Sequence, residues 1–449
     1  MINTFMEIDN KEIDNLVYKA VFGNSVEKHE SKYEIWKLGV DNGIACSSIN
    51  DLYMARGRKE LPNDFTVPAM NLRGMTYDLA RSIFKVAKDK NVGAMIFEIA
   101  RSEMVYTDQS PLEYIIVITA AALREGWSGP LFIQGDHFQA KAEKMGIPKD
   151  GEIEAIKDLI RRSISAGFYN IDIDMSTLVN LDASSVKEKQ ASNIKYSIEL
   201  TKLIRELQPK GVEISIGAEI GHIGGKNSTI EDFETFISGF NLGLPEGMTG
   251  ISKISVATGT SHGGVVLADG TLAKLDVDFS ILSDISKVCR EKYHIGGTVQ
   301  HGASTLPDEF FGHFPKSEAI EVHLATGFQN MQLDHPEFPK ELLEKMYRWL
   351  DENKLSERGS NMTDEQFHYK LRKKSWGKFK KEIWDIDENI KASLRETLSN
   401  RVEFLFDQLN IFNTKEMINK YIKTVVVEKN KEDFLDQNEK LEDVVGLSD

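Results

Sequence analysis

A chain of 449 residues is long enough for a large core, and its formal net charge of −15 excludes a nucleic-acid footprint and an anionic membrane surface as partners. Its 41 % hydrophobic and 28 % charged residues match an ordinary globular protein, and it has no run of about 18 apolar residues with which to span a membrane. Cys46 and Cys289 lie outside any CxxC pair, which excludes a disulfide scaffold and fits reduced thiols in a cytoplasmic protein. The acidic start MINTFMEIDNKEID lacks the apolar core of a signal peptide.

Residues 1–60 are mixed and charged, and KEIDNLVYKAVF and SSINDLYMARG have helical periodicity. They are expected to form an N-terminal helical extension. From there to residue 335, short apolar runs alternate with amphipathic stretches. The expected strands are FTVPAMN (65–71), GAMIFEIA (93–100), GPLFIQGD (129–136), YNIDIDM (169–175), VEISIGAE (212–219), KISVATG (253–259), IGGTVQH (295–301) and GFQNMQL (327–333). Helix-like segments such as TYDLARSIFKVAKDK lie between them. Alternating β and α implies a parallel sheet, and eight repeats imply an α/β fold of the (β/α)8 TIM-barrel type over residues 61–335. The alternative, an open doubly wound sheet, usually carries a glycine-rich phosphate turn after its first strand, and PAMNLRG is not one. Residues 336–449 are helical and highly charged, and are expected to form a C-terminal extension packed on the barrel or on a partner subunit.

In such a barrel, function collects at the C-terminal ends of strands. Those ends carry Asp136-His137, Asp172 and Asp174, Glu219, His262, His301 and, on the last expected strand, Asn330. His137, His262 and His301 come from three strand ends and can converge on one divalent cation, with neutral imidazole suiting Zn²⁺. Asp136 beside them can move a proton on a substrate whose oxygen the metal polarises. A lone histidine is ordinarily a hydrogen-bonded core or surface residue, and His29, His294, His313, His323, His335 and His368 are placed in that class. His222 has no assignment. Gly225, Gly263 and Gly302 stand where the chain must turn sharply or approach a ligand, and the backbone near Ala303 and Ser304 can form an anion pocket.

At these residues the sequence resembles the class II, metal-dependent fructose-bisphosphate aldolases. The resemblance runs over roughly residues 64–335, through GDH (135–137), AGFYNIDID (166–174), AEIGHIGGK (218–226), GTSHG (259–263), HGAS (301–304) and PDE (307–309). It implies reversible aldol cleavage of a ketose (bis)phosphate, such as fructose 1,6-bisphosphate, to dihydroxyacetone phosphate and an aldehyde. It also implies His137, His262 and His301 as metal ligands, Glu219 at a second metal position, and Asp136 as the group that exchanges the hydroxyl proton. Asn71, Gly263, Gly302, Ala303, Ser304 and Asn330 are implied as substrate contacts. A sugar phosphate is the expected partner and a homodimer the expected assembly.

The chain departs from the family pattern at several points. Val266 stands where the family has a lysine, Thr305 replaces a glycine, Ala100 a serine, and Gln332 an aspartate when the strand-8 motif is matched to residues 330–334. Asn227 replaces the mobile-loop glutamate, with Glu231 or Asp232 as substitutes. The basic run from Lys370 through Arg372, Lys373, Lys374, Lys378, Lys380 and Lys381 is either a source of replacement cations or a solvated helix face. Two other functions stay open at this point. One is a non-catalytic or regulatory subunit of an aldolase of the tagatose-bisphosphate type. The other is a different metal-assisted reaction, such as hydrolysis or epimerisation, on the same barrel.

Overall fold

The computed structural model describes residues 9–221, 226–259, 277–435, 444 and 447. His222, Gly225, His262, Gly263 and Val266 lie outside the described residues.

Eight parallel strands close a barrel: β1 (Val67–Asn71), β2 (Ile96–Ala100), β3 (Ile133–Gln139), β4 (Asn170–Asp174), β5 (Ser215–Glu219), β6 (Lys253–Ser255), β7 (Thr298–Gln300) and β8 (Glu321–Leu324). Neighbours pair in chain order, and β8 returns to β1 with Glu321 opposite Val67. Every residue of these strands is buried, because helices cover the outside and side chains fill the lumen. Among the described residues, no helix is long and apolar enough to cross a membrane.

Seven of the expected strands coincide with barrel strands, with ends trimmed. The stretch 129–136 divides: Gly129–Leu131 pairs with Ile44–Cys46 in a separate two-stranded sheet, and Ile133 begins β3. The eighth expectation fails. GFQNMQL lies in a helix, Thr326–Leu333, and β8 is the preceding EVHL. A short apolar run does not by itself separate strand from buried helix, and the lumen-facing side of β8 is polar, so its apolar signal was weak.

Both flanking regions pack on the barrel. Asn10–Phe22 and Ser25–Asp41 pair with each other and against Pro111–Arg124, whose Ser110 N-cap and first-turn proline fix its start. Helix Glu388–Gln408 lies along Thr76–Asp89, where Arg395 meets the buried Asp78 at 2.5 Å. Trp376 seats on the turn after β1, where a Cβ on Gly74 would stand 2.3 Å from the indole. Only glycine fits there, and its φ of +76° is one that glycine adopts without strain.

Candidate active site

A β-bulge explains the Gly135-Asp136-His137 motif. Gly135 pairs with Ile171 of β4 and Phe138 with Ile173, so Asp136 and His137 together face the single residue Asp172. His137 takes φ +41°, a left-handed value that a non-glycine residue adopts only when its surroundings hold it. The extra residue breaks the alternation of the strand. Consecutive side chains therefore both point into the lumen, with His137 Nε2 3.7 Å from Asp136 Oδ1. A Cβ on Gly135 would sit 2.4 Å from the Phe138 ring, so the bulge also requires that glycine.

Asp136 is buried and held from both sides. Asn71 Nδ2, at the end of β1, donates to its Oδ2 at 3.0 Å and to Glu103 Oε2 at 2.8 Å. Glu103 is in turn paired with Arg73 at 2.5 Å. On the other side, His323 Nδ1 approaches Asp136 Oδ1 at 3.2 Å. Burial opposes charge on Asp136, but the imidazoles of His137, His323 and His301 outweigh it and hold the carboxyl well below its usual range. Asn71 Oδ1 makes no hydrogen bond among the described residues, so the amide can still receive a donor from a ligand.

The His137 and His301 rings lie 4.3 Å apart. His137 Nδ1 meets Asp174 Oδ2 and Glu219 Oε1, each at 2.9 Å, and His301 Nε2 meets Ser255 Oγ at 2.9 Å. Gln139 also holds Asp174, at 2.5 Å. Burial, with Asp174 adding and His137 opposing, pushes Glu219 up to about 7. Two sets of ligand atoms, Asp136–His137–His301 and His137–Asp174–Glu219, each lie within 4.8 Å of one another and are wholly buried. Imidazole nitrogen with carboxylate oxygen, buried in the lumen where other side chains orient the ligands, is a donor set that fits a divalent cation such as Zn²⁺.

Beneath this lies a charged layer that the sequence reading missed. Lys253 Nζ, from β6, contacts Gln134 Oε1 at 2.7 Å, Asp172 Oδ1 at 2.9 Å and Glu321 Oε1 at 2.5 Å. Tyr53 donates to Glu321 Oε2 at 2.5 Å, and His323 Nε2 meets Glu321 Oε1 at 2.6 Å. Burial works against the charges, but Asp172 and Glu321 keep the Lys253 pKa raised, and Lys253 and His323 bring Glu321 down to about 2. Asp172, where burial wins, sits at about 6. His323 therefore belongs to the lumen and not with the ordinary histidines. The available signal was charge at alternate positions of EVHL, and likewise Glu98 and Lys253 inside apolar strands.

The residues expected at the phosphate end are placed as follows. Gly302 turns with φ +67°, Ala303 is buried, and Ser304 Oγ accepts from the Gly327 backbone N–H at 3.1 Å. Asn330 lies on helix Thr326–Leu333, held by Tyr369 at 2.8 Å and Arg372 at 2.6 Å. Gln332 ties the same helix to the turn after β1 through Met75 N and Arg73 O. Of the loop acids, Asp232 is engaged as a helix cap, accepting from Thr229 N at 2.9 Å and Oγ1 at 2.6 Å. Glu231 is exposed on the first helical turn. The basic run divides: Lys370, Lys378 and Lys381 are exposed, while Arg372 and Lys380 are buried against Asp334 and Glu113. Arg372→Ala is expected to lower stability by about 1.5–3 kcal/mol, as for loss of charge-assisted hydrogen bonds. It should also speed amide exchange in helix Thr326–Leu333. Unchanged exchange there would show that the clamp holds nothing.

A family model, fructose-bisphosphate aldolase class-II, matches residues 59–378 and so extends through the segment bearing Arg372 and Trp376. No curated protein matches the chain. Among solved structures, a probable tagatose 6 phosphate kinase from Sinorhizobium meliloti 1021 superposes with a TM-score of 0.53 at 12 % identity, covering 79 % of this chain and 99 % of its own; this likeness shows the barrel fold. The fructose-bisphosphate aldolase of Campylobacter jejuni is similar at 17 % identity and TM-score 0.46, over 83 % of this chain and 97 % of its own. The YdjI aldolase of Escherichia coli K12 is similar at 13 % identity and TM-score 0.47, over 82 % and 98 %.

Proposed function

Because the chain belongs to the class II fructose-bisphosphate aldolase family, we propose that it is a metal-dependent aldehyde-lyase that cleaves a ketose phosphate into dihydroxyacetone phosphate and an aldehyde. The observation that carries this reading is Asp136, buried and contacted on both oxygens beside His137 and His301. In the cleavage direction, Asp136 takes the proton from the hydroxyl on the carbon that becomes the aldehyde. The adjacent carbon–carbon bond then breaks, and its electron pair stays with the ketone fragment. A cation held by His137, His262 and His301, with Glu219 at hand and Zn²⁺ as the first choice, would polarise the ketone oxygen. The proton that the ketone carbon then takes up needs a second donor. With Asn227 in the family position and Asp232 engaged as a cap, Glu231 is the proposed one.

The altered anion contacts bear on phosphate affinity. Val266 brings no charge where a lysine would hold a dianion, so the dihydroxyacetone phosphate end is held more weakly than in the family pattern, whether the ketose carries one phosphate or two. A homodimer working in the cytoplasm is part of the same proposal. The test is product analysis on a panel of ketose mono- and bisphosphates. Cleavage should disappear after chelation and return with Zn²⁺. Isomerised products only, or no cleavage of any member by the metal-loaded chain, would overturn the reading.

A further inference from the structure

Among the described residues, three carboxylate oxygens in the barrel lumen make no hydrogen bond: Asp172 Oδ1 and Glu219 Oε1, each with a cationic or imidazole nitrogen at 2.9 Å, and Glu98 Oε1. Glu98 is fully buried. Its Oε2 accepts from Gln134 Nε2 at 2.8 Å, while Oε1 stands 3.1 Å from His323 Nδ1 without a hydrogen bond. The same nitrogen is 3.2 Å from Asp136 Oδ1. An imidazole nitrogen carries at most one proton, pointing along one line, so it cannot serve both oxygens. A buried acceptor left over in this way signals an ion or a proton at that place.

The surroundings are those of a cation ligand set. His323 Nε2 lies against Glu321 Oε1 at 2.6 Å, the carboxylate–imidazole pairing that fixes the tautomer and leaves Nδ1 as a donor to metal. Gln134 orients Glu98 and Asn71 orients Asp136, so each ligand is held by a neighbour. The three ligand atoms lie within 4.8 Å of one another and all three residues are buried. Asp172 and Glu321 share Lys253, whereas Glu98 and Asp136 share only the His323 imidazole on this side of the lumen, and two buried carboxylates on one imidazole leave room for a further positive charge.

We propose that Glu98, Asp136 and His323 hold a second divalent cation, with Asp136 bridging it to the cation at His137 and His301. One imidazole with two carboxylates suits Zn²⁺ or Mn²⁺. Asp136 can bridge and still act on substrate, because a carboxylate offers about four lone-pair positions and Oδ2 uses one for Asn71. The proposal concerns metal content and stands apart from the reaction, since a chain that cleaves no ketose phosphate can still hold two cations.

The test uses the full chain, stripped with chelator, re-equilibrated with Zn²⁺, desalted and counted by mass spectrometry for metal. The expected result is two equivalents in the unmodified chain, one in Glu98→Gln and one in His323→Asn, with far-UV circular dichroism unchanged. The same chain loaded with Mn²⁺ should give an exchange-coupled electron paramagnetic resonance spectrum, which needs no variant to fold. A single equivalent with an isolated-ion spectrum would overturn the proposal in favour of a proton on Glu98. Two equivalents retained in Glu98→Gln would overturn it in favour of the His137–Asp174–Glu219 position.

Discussion

Asp136→Asn is expected to lower kcat for aldol cleavage by about 10²–10⁴-fold, the usual contribution of a positioned acid–base group, with KM little changed. The amide keeps the shape of the carboxylate and its place between Asn71 and His323, so the loss isolates proton transfer from packing. The cation at His137 and His301 should remain on its imidazoles, and any loss at the position shared by Glu98, Asp136 and His323 is read separately from the metal count. The measurement is steady-state kinetics on whichever ketose phosphate the panel identifies, with metal content in parallel. A variant that cleaves at near the original rate would remove Asp136 from the reaction and with it the reading of the site.

Lys253→Met is expected to destabilise the fold by about 3–5 kcal/mol, the range for removing one partner of a buried ion pair. Lys253 is wholly buried, and without its ammonium the carboxylates of Asp172 and Glu321 are left facing each other in the lumen. Pairing the change with Glu321→Gln should restore part of the loss, because one of the stranded charges is then gone. Urea denaturation of the single and double variants reads both effects. A single variant within about 1 kcal/mol of the original chain would show that the layer is not electrostatically coupled.

The barrel was legible because β1 to β7 are apolar runs bounded by helical stretches of clear periodicity, and tertiary packing agrees with both signals. β8 was not, because Glu321 and His323 face the lumen and GFQNMQL downstream, of similar apolar content, offered a decoy. The same misplacement hid His323, whose partners Glu98, Asp136 and Glu321 come from three strands and have no local signature. Asp136, His137, Glu219 and His301 were legible as strand-end residues. What sequence could not show is that Asn71 holds Asp136, or that a bulge turns two consecutive residues the same way. Nor could it show that Arg372 and Lys380 are internal, since Asp334 and Glu113 are remote along the chain.

The seat of Trp376 on Gly74 bears on when the molecule becomes competent. Synthesis proceeds from the N-terminus, and domains ordinarily fold as their segments emerge. Here the turn after β1 is made early and its covering indole very late, as is Arg372, which fastens Asn330 and Asp334. Pairings so distant in sequence also slow closure, because the loop entropy is lost before any contact forms. A barrel made in chain order therefore keeps an unfinished mouth until the segment from Arg372 to Trp376 has emerged, and the rim around β1 and helix Thr326–Leu333 sets after the strands beneath it.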